Sequence, residues 1–397
     1  MTYPTALGCG CLLGAGGASH VHAAQWSVDP QFSWTTDYDS NRNFQPGTRG
    51  SEEAVLSADI QLKRSLESME LMLEPRFDVR RFSDSIWGPG DDRSLQGAFS
   101  WSSERSQLAL NASIADQNTL STEILETGLV NTSTRRRSQT ASLELDTART
   151  EDHLFYSQVS YLGSSYSGPV YIEEILPGYR FESAALGERF TLSEHLTFSA
   201  GAFGDILHSD RAGGSSHEAG AQVELSYAHS ERVNFDLQVG ESRRVLSEAV
   251  GTDSTGNPVF QGTSSFGTNV SATATRKYEL GSLSFNYTRS LVPYGNGFLV
   301  ERQLATATAR RTLSPYLDAD LGVMRVDNNG ATVRLRLDRR FYDSVSAGLN
   351  WKVGETWTLR SEAATSWAPP IGSDHTVHEW RAALIMTWKP TPVVMSR

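Results

Sequence analysis

The side chains best suited to acid–base or metal chemistry are a few histidines beside carboxylates. His375 and His378 lie close to Asp374. They could bind a metal or exchange protons, but titratable neighbours are common on exposed loops, and a solvated loop is the simpler interpretation. His217-Glu218 has no second histidine at the spacing of a zinc-binding helix. We therefore expect no catalytic residue, no metal site, no cofactor and no enzymatic activity.

Charged residues instead alternate with apolar ones along several segments. From Met69 to Arg81 the odd positions are mostly apolar and the even positions mostly charged. Successive side chains of a strand point to opposite faces, so the two sets would lie on opposite sides of a sheet. We expect the charged set to line a water-filled lumen, where a mixture of signs predicts weak ion preference. The predicted pore-lining residues are Glu70, Glu74, Arg76, Asp78, Arg80, Arg180, Glu182, Glu224, Asp236, Asp318, Asp320, Arg360 and Glu362.

The last strand-like segment shows what the apolar set would contact. Trp380, Ala382, Leu384, Met386 and Trp388 form a row at every second position, with tryptophan at each end. An apolar row of about nine residues with interfacial aromatics is typical of a transmembrane β-strand. We expect the two tryptophans to belong to the aromatic girdles of a membrane.

The whole chain favours a membrane barrel. Its 397 residues have a mean hydropathy of -0.36, and no run of about eighteen apolar residues is present, which argues against membrane helices. Short polar turns alternate with longer connections, as in outer-membrane barrels. The predicted fold is all-β: an up-and-down antiparallel transmembrane β-barrel of about 18 strands, with 16 as the alternative. The net charge of -11 argues against a nucleic-acid partner.

The N-terminal segment predicts export. Residues 1–23 resemble a signal peptide without a basic n-region, and residues 24–397 would form a single barrel. Cys9 and Cys11 lie in that segment, so the mature chain would have no cysteine. Acylation of one of them, as in a lipoprotein, is the alternative.

Two loop features have two interpretations each. The apolar loop Ser167–Gly178 could narrow the mouth as a constriction loop, with Tyr171, Glu173 and Glu174 in the opening, or could simply extend two strands. The run Arg135-Arg136-Arg137 could contact lipopolysaccharide phosphates or could be a solvated charge cluster.

The segments Ser-Leu-Ser-Phe-Asn-Tyr-Thr-Arg-Ser-Leu, Gly-Asn-Gly-Phe-Leu-Val-Glu-Arg and Ala-Arg-Arg-Thr-Leu-Ser-Pro-Tyr-Leu occur after Gly281. They resemble porin-like outer-membrane β-barrels of Gram-negative bacteria, some of which accompany exopolysaccharide or exosortase loci. Such proteins usually end on an aromatic of the final strand, whereas Lys389 to Arg397 follow Trp388 here.

The resemblance and the pattern together predict a bacterial outer-membrane channel for small polar solutes, or for export of a polysaccharide. The alternative is a non-conducting barrel that displays its extracellular loops. The expected partners are outer-membrane lipid and lipopolysaccharide, the barrel-assembly machinery and, for an exporter, a polysaccharide.

Overall fold

The structure is a computed structural model. It describes residues 25–42, 44, 47, 49–84, 90–119, 134–167, 176–210, 215–252, 258–294, 297–330, 341–369 and 375–396. In that part of the chain, no helix is long and apolar enough to cross a membrane.

Antiparallel strands account for most of these residues. In chain order they are β1 Gln25–Asp39, β2 Ser51–Ser65, β3 Met69–Phe82, β4 Gly90–Ser102, β5 Ser106–Asn118, β6 Arg135–Thr150, β7 His153–Ser167, β8 Tyr179–Ser193, β9 Leu196–Ser209, β10 Ser215–Ser230, β11 Val233–Thr252, β12 Pro258–Tyr278, β13 Gly281–Pro293, β14 Leu299–Ser314, β15 Leu317–Gly330, β16 Phe341–Lys352, β17 Trp357–Ala368, β18 Val377–Trp388 and β19 Val393–Ser396.

Strands β1 to β18 form a closed barrel. Each pairs antiparallel with its neighbours in sequence, and β1 closes the ring by pairing with both β2 and β18, for example Phe32 opposite Trp388 and Asp39 opposite Arg381. The predicted barrel of about 18 strands is confirmed. Closure leaves none of these strands with a free edge inside the membrane, where water could not satisfy its backbone groups.

The residues after Trp388 form one more short strand. In β19, Val393 pairs with Val28 of β1 and Ser396 pairs with Gln25, so the segment extends the sheet beyond the ring. Gln25, near the start of the described chain, therefore lies at the same end of the barrel as the tail. Short turns also lie at this end, as between Ser103 and Ser106. In outer-membrane barrels the short-turn end faces the periplasm.

The outer surface carries the apolar set of each strand. Leu71, Leu73 and Phe77 of β3 are exposed on this surface, as are Leu384 and Met386 of β18. Charged side chains on a lipid face cost about 2 to 4 kcal/mol at mid-membrane, so an apolar exterior is the pattern that lipid imposes.

Aromatic rings mark both ends of this surface. Near the periplasmic end Trp388 stacks on Phe32 and Trp357, with ring centroids 5.5 and 6.0 Å apart. Eight residues higher on β18, Trp380 lies 4.8 Å from the ring of Tyr38. On a tilted strand eight residues span about 21 Å, close to the height of an outer-membrane apolar band. The chain is an outer-membrane β-barrel.

Candidate functional site: the barrel interior

Most of the residues predicted to line a pore lie on the inner face. On β3, Asp78 is buried and accepts a hydrogen bond from Arg76, while Phe77 between them points outward. The predicted residues that the structure places on the inner face are Glu70, Glu74, Arg76, Asp78, Arg80, Glu224, Asp236, Asp318, Asp320, Arg360 and Glu362.

Arg180 and Glu182 are different, and their prediction as pore-lining residues is wrong. Both are exposed on β8, and Glu182 pairs with the outward-facing Ile206. Phe181, between them, instead packs inside the barrel. The interior is apolar at this height. The charged residues of β8 therefore face outward here, and its apolar residues face the lumen.

The periplasmic half of the interior is accessible to water. Arg360 binds Asp320 at 2.6 Å and Glu362 at 3.1 Å. Arg310 binds Asp318 at 2.9 Å, and its side chain keeps 60% of its surface accessible. Charged inner-wall groups that are paired and yet solvated indicate a wet vestibule.

The extracellular half of strands β1 to β4 carries a chain of buried ion pairs, here called the first network. Arg42, from the connection after β1, contacts Asp37 at 3.5 Å and Glu53 at 2.7 Å. Arg80 contacts the same Glu53 at 2.7 Å and Asp92 at 2.9 Å. Asp37 and Glu53 lie directly opposite each other, so the arginines offset the repulsion between the two carboxylates.

A second network lies on the opposite wall, on strands β10 to β14. Its centre is Arg244, whose side chain is 4% exposed and contacts Glu218 at 3.3 Å and Glu301 at 3.1 Å. Asn269 donates a hydrogen bond to Glu218 at 2.9 Å, and Arg289 contacts Glu301 at 2.9 Å. The ladder between β12 and β13 ends at Val270 opposite Arg289, and above it Arg244 of β11 contacts Glu301 of β14 directly.

The connection between β13 and β14 folds into the mouth. Residues 291–294 and 297–300, on either side of this connection, are all buried. The turn is closed by a hydrogen bond from Tyr294 N–H to the Phe298 carbonyl at 2.8 Å, and Gly297 adopts a φ of 80°. We call residues 291–294 and 297–300 the inner hairpin.

The inner hairpin reaches the wall formed by β8 and β9. A Cβ built on Gly297 would lie 2.8 Å from Pro177, next to Ser209 at the end of β9. Four strand spacings from β9 to β13 amount to about 19 Å along the wall, so the hairpin must lean across the lumen to make this contact.

An apolar cluster fills the interior at this height. It combines wall residues with Leu291 and Leu299 of the inner hairpin and with Leu176, from the loop predicted to be a constriction. Leu176 is 2% exposed, so the end of that loop does enter the barrel. Tyr171, Glu173 and Glu174 lie outside the described residues, and their role in a constriction stays a prediction. The cluster residues are Tyr166, Leu176, Tyr179, Leu207, Leu246, Leu291 and Leu299.

Sequence reasoning missed the inner hairpin, although its composition gave a signal. The segment Val292–Val300 includes several large apolar residues and a tyrosine around the sequence Gly-Asn-Gly. Its composition is similar to that of the apolar loop Ser167–Gly178.

The histidines near carboxylates are only partly covered by the described residues. His378 packs edge-on against Trp367, and Asp374 lies outside the described residues. Within the described ranges, no group of three or more His, Cys, Asp or Glu side chains could hold a metal ion.

Comparison with known proteins gives structural matches alone. No protein-family model and no curated protein sequence matches the chain. The barrel is similar to OccK8 (OprE) of Pseudomonas aeruginosa, with 10% identity, 93% of this chain and 98% of that chain covered, and a TM-score of 0.48. It is also similar to OccAB4 of Acinetobacter baumannii, with 8% identity, coverage of 94% and 98%, and a TM-score of 0.48. A mutant of the ferric enterobactin receptor PfeA of Pseudomonas aeruginosa matches with 10% identity, coverage of 93% and 80%, and a TM-score of 0.47.

Proposed function

We propose that the barrel is a porin-like channel that passes small polar solutes through a wide periplasmic vestibule and a narrow extracellular constriction. The observation that carries this proposal is the solvation of charged inner-wall side chains. Arg76 lies midway along β3, faces inward and keeps 49% of its side chain accessible to water. A barrel that served only as a scaffold would have no need to keep mid-membrane charges in water.

The constriction sets the size of the solute. The first network, the second network and the inner hairpin lie at the same extracellular half, and their inner-wall side chains are buried. A solute must therefore pass between charged walls on two sides and an apolar hairpin on a third. This arrangement favours small, polar or zwitterionic solutes over a chain of sugars, and polysaccharide export stays a prediction from the sequence resemblance, as do the barrel-assembly machinery and a polysaccharide as partners.

The second candidate is a non-conducting barrel that displays its extracellular loops. It is favoured by the extent to which buried side chains fill the extracellular half. The two functions differ in whether any continuous aqueous path remains.

Single-channel recording in a planar bilayer tests the proposal. The full barrel should give small, stable conductance steps. A variant in which Tyr294 to Phe298 are replaced by Asn-Gly, a sequence suited to a two-residue hairpin turn, should give larger steps because the inner hairpin no longer reaches the opposite wall. Absence of conductance from both proteins, each shown to be folded by its heat-modifiable migration on a gel, would establish the non-conducting barrel instead.

A further inference from the structure

The outer face of strands β3 to β6 carries a compact group of arginines near the extracellular rim. Arg93, Asp116 and Arg137 lie directly opposite one another in the sheet, so they form one row across three strands. Asp116 accepts hydrogen bonds from Arg93 at 3.1 Å and from Arg135 at 2.7 Å. On the neighbouring strand Arg81 completes the group, which we call the arginine patch.

The arginine patch lies just above lipid-facing residues. One step below Arg93 and Asp116, on the same face, are Leu95 and Ile114, both of which are exposed large apolar side chains. Arg93 lies eight residues above Trp101, at the periplasmic end of β4. On a tilted strand this is about 21 Å, against an apolar band about 25 Å tall, so the guanidinium groups extend to the level of the lipid headgroups.

The patch has more positive charge than its own carboxylates offset. It combines four arginines with Asp91, which binds Arg81 at 2.9 Å, and Asp116. Its formal charge is therefore 4 − 2 = +2, in a chain whose net charge is -11. Arg135 also lies 3.6 Å from Asp92, but that inner-face carboxylate pairs more closely with Arg80 in the first network.

Arg93 is open to a ligand. Its side chain is 70% exposed, so it retains N–H donors that can bind a further anion.

Other outer-face arginines near the described part of the rim have a carboxylate close by. Arg180 has Glu182 two residues away on the same face. Arg325 lies 3.7 Å from Asp343 on the adjacent strand. Arg243 has Glu241 two residues away on the same face. In the described part of the rim, these arginines therefore lack the excess positive charge of the arginine patch.

We propose that the arginine patch binds the phosphate groups of the lipid A headgroup of lipopolysaccharide in the outer leaflet. Guanidinium groups form paired, charge-assisted hydrogen bonds with phosphate oxygens. Asp116 orients Arg93 and Arg135 in advance, which lowers the cost of fixing these long side chains on binding. Leu95 and Ile114 lie where the acyl chains of the same molecule would run, and this apolar floor selects a lipid-borne phosphate over a free one.

The test uses the full barrel purified in detergent and titrated with lipid A, with bound lipid counted by native mass spectrometry. The patch variant is Arg93→Gln with Arg137→Gln. The matched control is Arg243→Gln with Arg325→Gln, which removes two outer-face arginines outside the patch. Lipid A stripped of its phosphates and inorganic phosphate alone serve as the comparison ligands.

We expect the patch variant to bind phosphorylated lipid A about tenfold or more weakly than the native protein, because two charge-assisted contacts are lost. The control variant should bind as the native protein does. Removing the phosphates from lipid A should weaken its binding to the native protein by a similar factor. Should the glutamine variant fail to fold, Arg93→Lys with Arg137→Lys keeps the charge but not the guanidinium geometry and should bind with intermediate affinity.

Equal binding of lipid A by the patch and control variants would overturn the proposal. So would displacement of lipid A by inorganic phosphate at equal molar concentration, since the patch would then be a general anion site without a contribution from the lipid.

Discussion

Individual side chains stabilise the extracellular half of the barrel. Arg244 is the clearest example, because it forms ion pairs with both Glu218 and Glu301 while its side chain is almost wholly buried. The Glu218 side chain has no accessible surface at all. A buried charge is tolerated only when it is paired and hydrogen-bonded, so each member of the second network depends on the others.

Replacing Arg244 by glutamine should therefore destabilise the barrel by about 3 to 5 kcal/mol, since the buried Glu218 would lose its cationic partner and Glu301 would keep only Arg289. Urea unfolding in lipid vesicles, followed by tryptophan fluorescence, measures this change. Arg289→Gln is the matched control, because Arg289 contacts the same Glu301 from a side chain that is 37% exposed, and it should cost no more than about 1 kcal/mol. An equal loss of unfolding free energy in the two variants would show that Arg244 is not the centre of the network.

Gly297 decides how closely the inner hairpin approaches the opposite wall. Its substitution by leucine would place a side chain against Pro177 and Ser209, so the hairpin should move away and single-channel conductance should rise. Gly47→Leu is a close control: Gly47 has a φ of 74°, near the 80° of Gly297, but no atom of the described residues lies within 4 Å of a Cβ built there. Both variants carry similar backbone strain. A rise in conductance in both would therefore show that strain, and not the hairpin contact, causes the effect.

At the level of one element, strand β3 separates a lipid face from a water face along its whole length. Leu71 and Leu73 are exposed on the outside, whereas Glu74 and Arg76 face the vestibule. The inner and outer residues alternate without interruption, so one register describes the strand.

Cysteines placed at Glu74 and Arg76 should react with a membrane-impermeant thiol reagent in proteoliposomes, while cysteines at Leu71 and Leu73 should stay unlabelled. The background should be low, because Cys9 and Cys11 are predicted to leave with the signal peptide. Mass spectrometry of the intact protein measures the labelled fraction. Labelling of the leucine positions alone would mean that the two faces of β3 were assigned in reverse.

The molecule as a whole is asymmetric along its axis. Its periplasmic half holds solvated ion pairs such as Arg310–Asp318, and its extracellular half holds buried networks and the inner hairpin. A channel of this form narrows toward the outside. In the channel that we propose, the resistance to ion flow would therefore lie mainly at the extracellular end.

This asymmetry predicts how neutral polymers act on the conducting barrel. Polyethylene glycol of intermediate size should enter the vestibule and lower conductance when added on the periplasmic side, but should have little effect from the extracellular side. Recordings on barrels of known orientation, with polymers of graded size on one side at a time, measure the two entrance widths. Equal size limits from both sides would contradict a wide vestibule.

The sequence by itself determined the barrel. Lipid contact requires an apolar side chain at every second position of a strand, so Leu384, Met386 and Trp388 revealed both the strand and its outer face without any long-range information. Repetition of this pattern between short and long connections predicted about 18 strands, with 16 as the alternative, and their up-and-down order.

Only the tertiary structure decided what fills the interior. An inner-wall residue can face water, an ion-pair partner or a loop that folds into the barrel. The alternation of side chains along a strand predicts which face a residue lies on, but not which of these three environments it contacts. Arg180 was therefore assigned to the wrong face where the interior becomes apolar, and the contact of Arg244 with Glu301 could not be read from strands far apart in sequence. The inward fold of the inner hairpin likewise depends on the wall that closure of the ring places opposite it, and no local pattern encodes that wall.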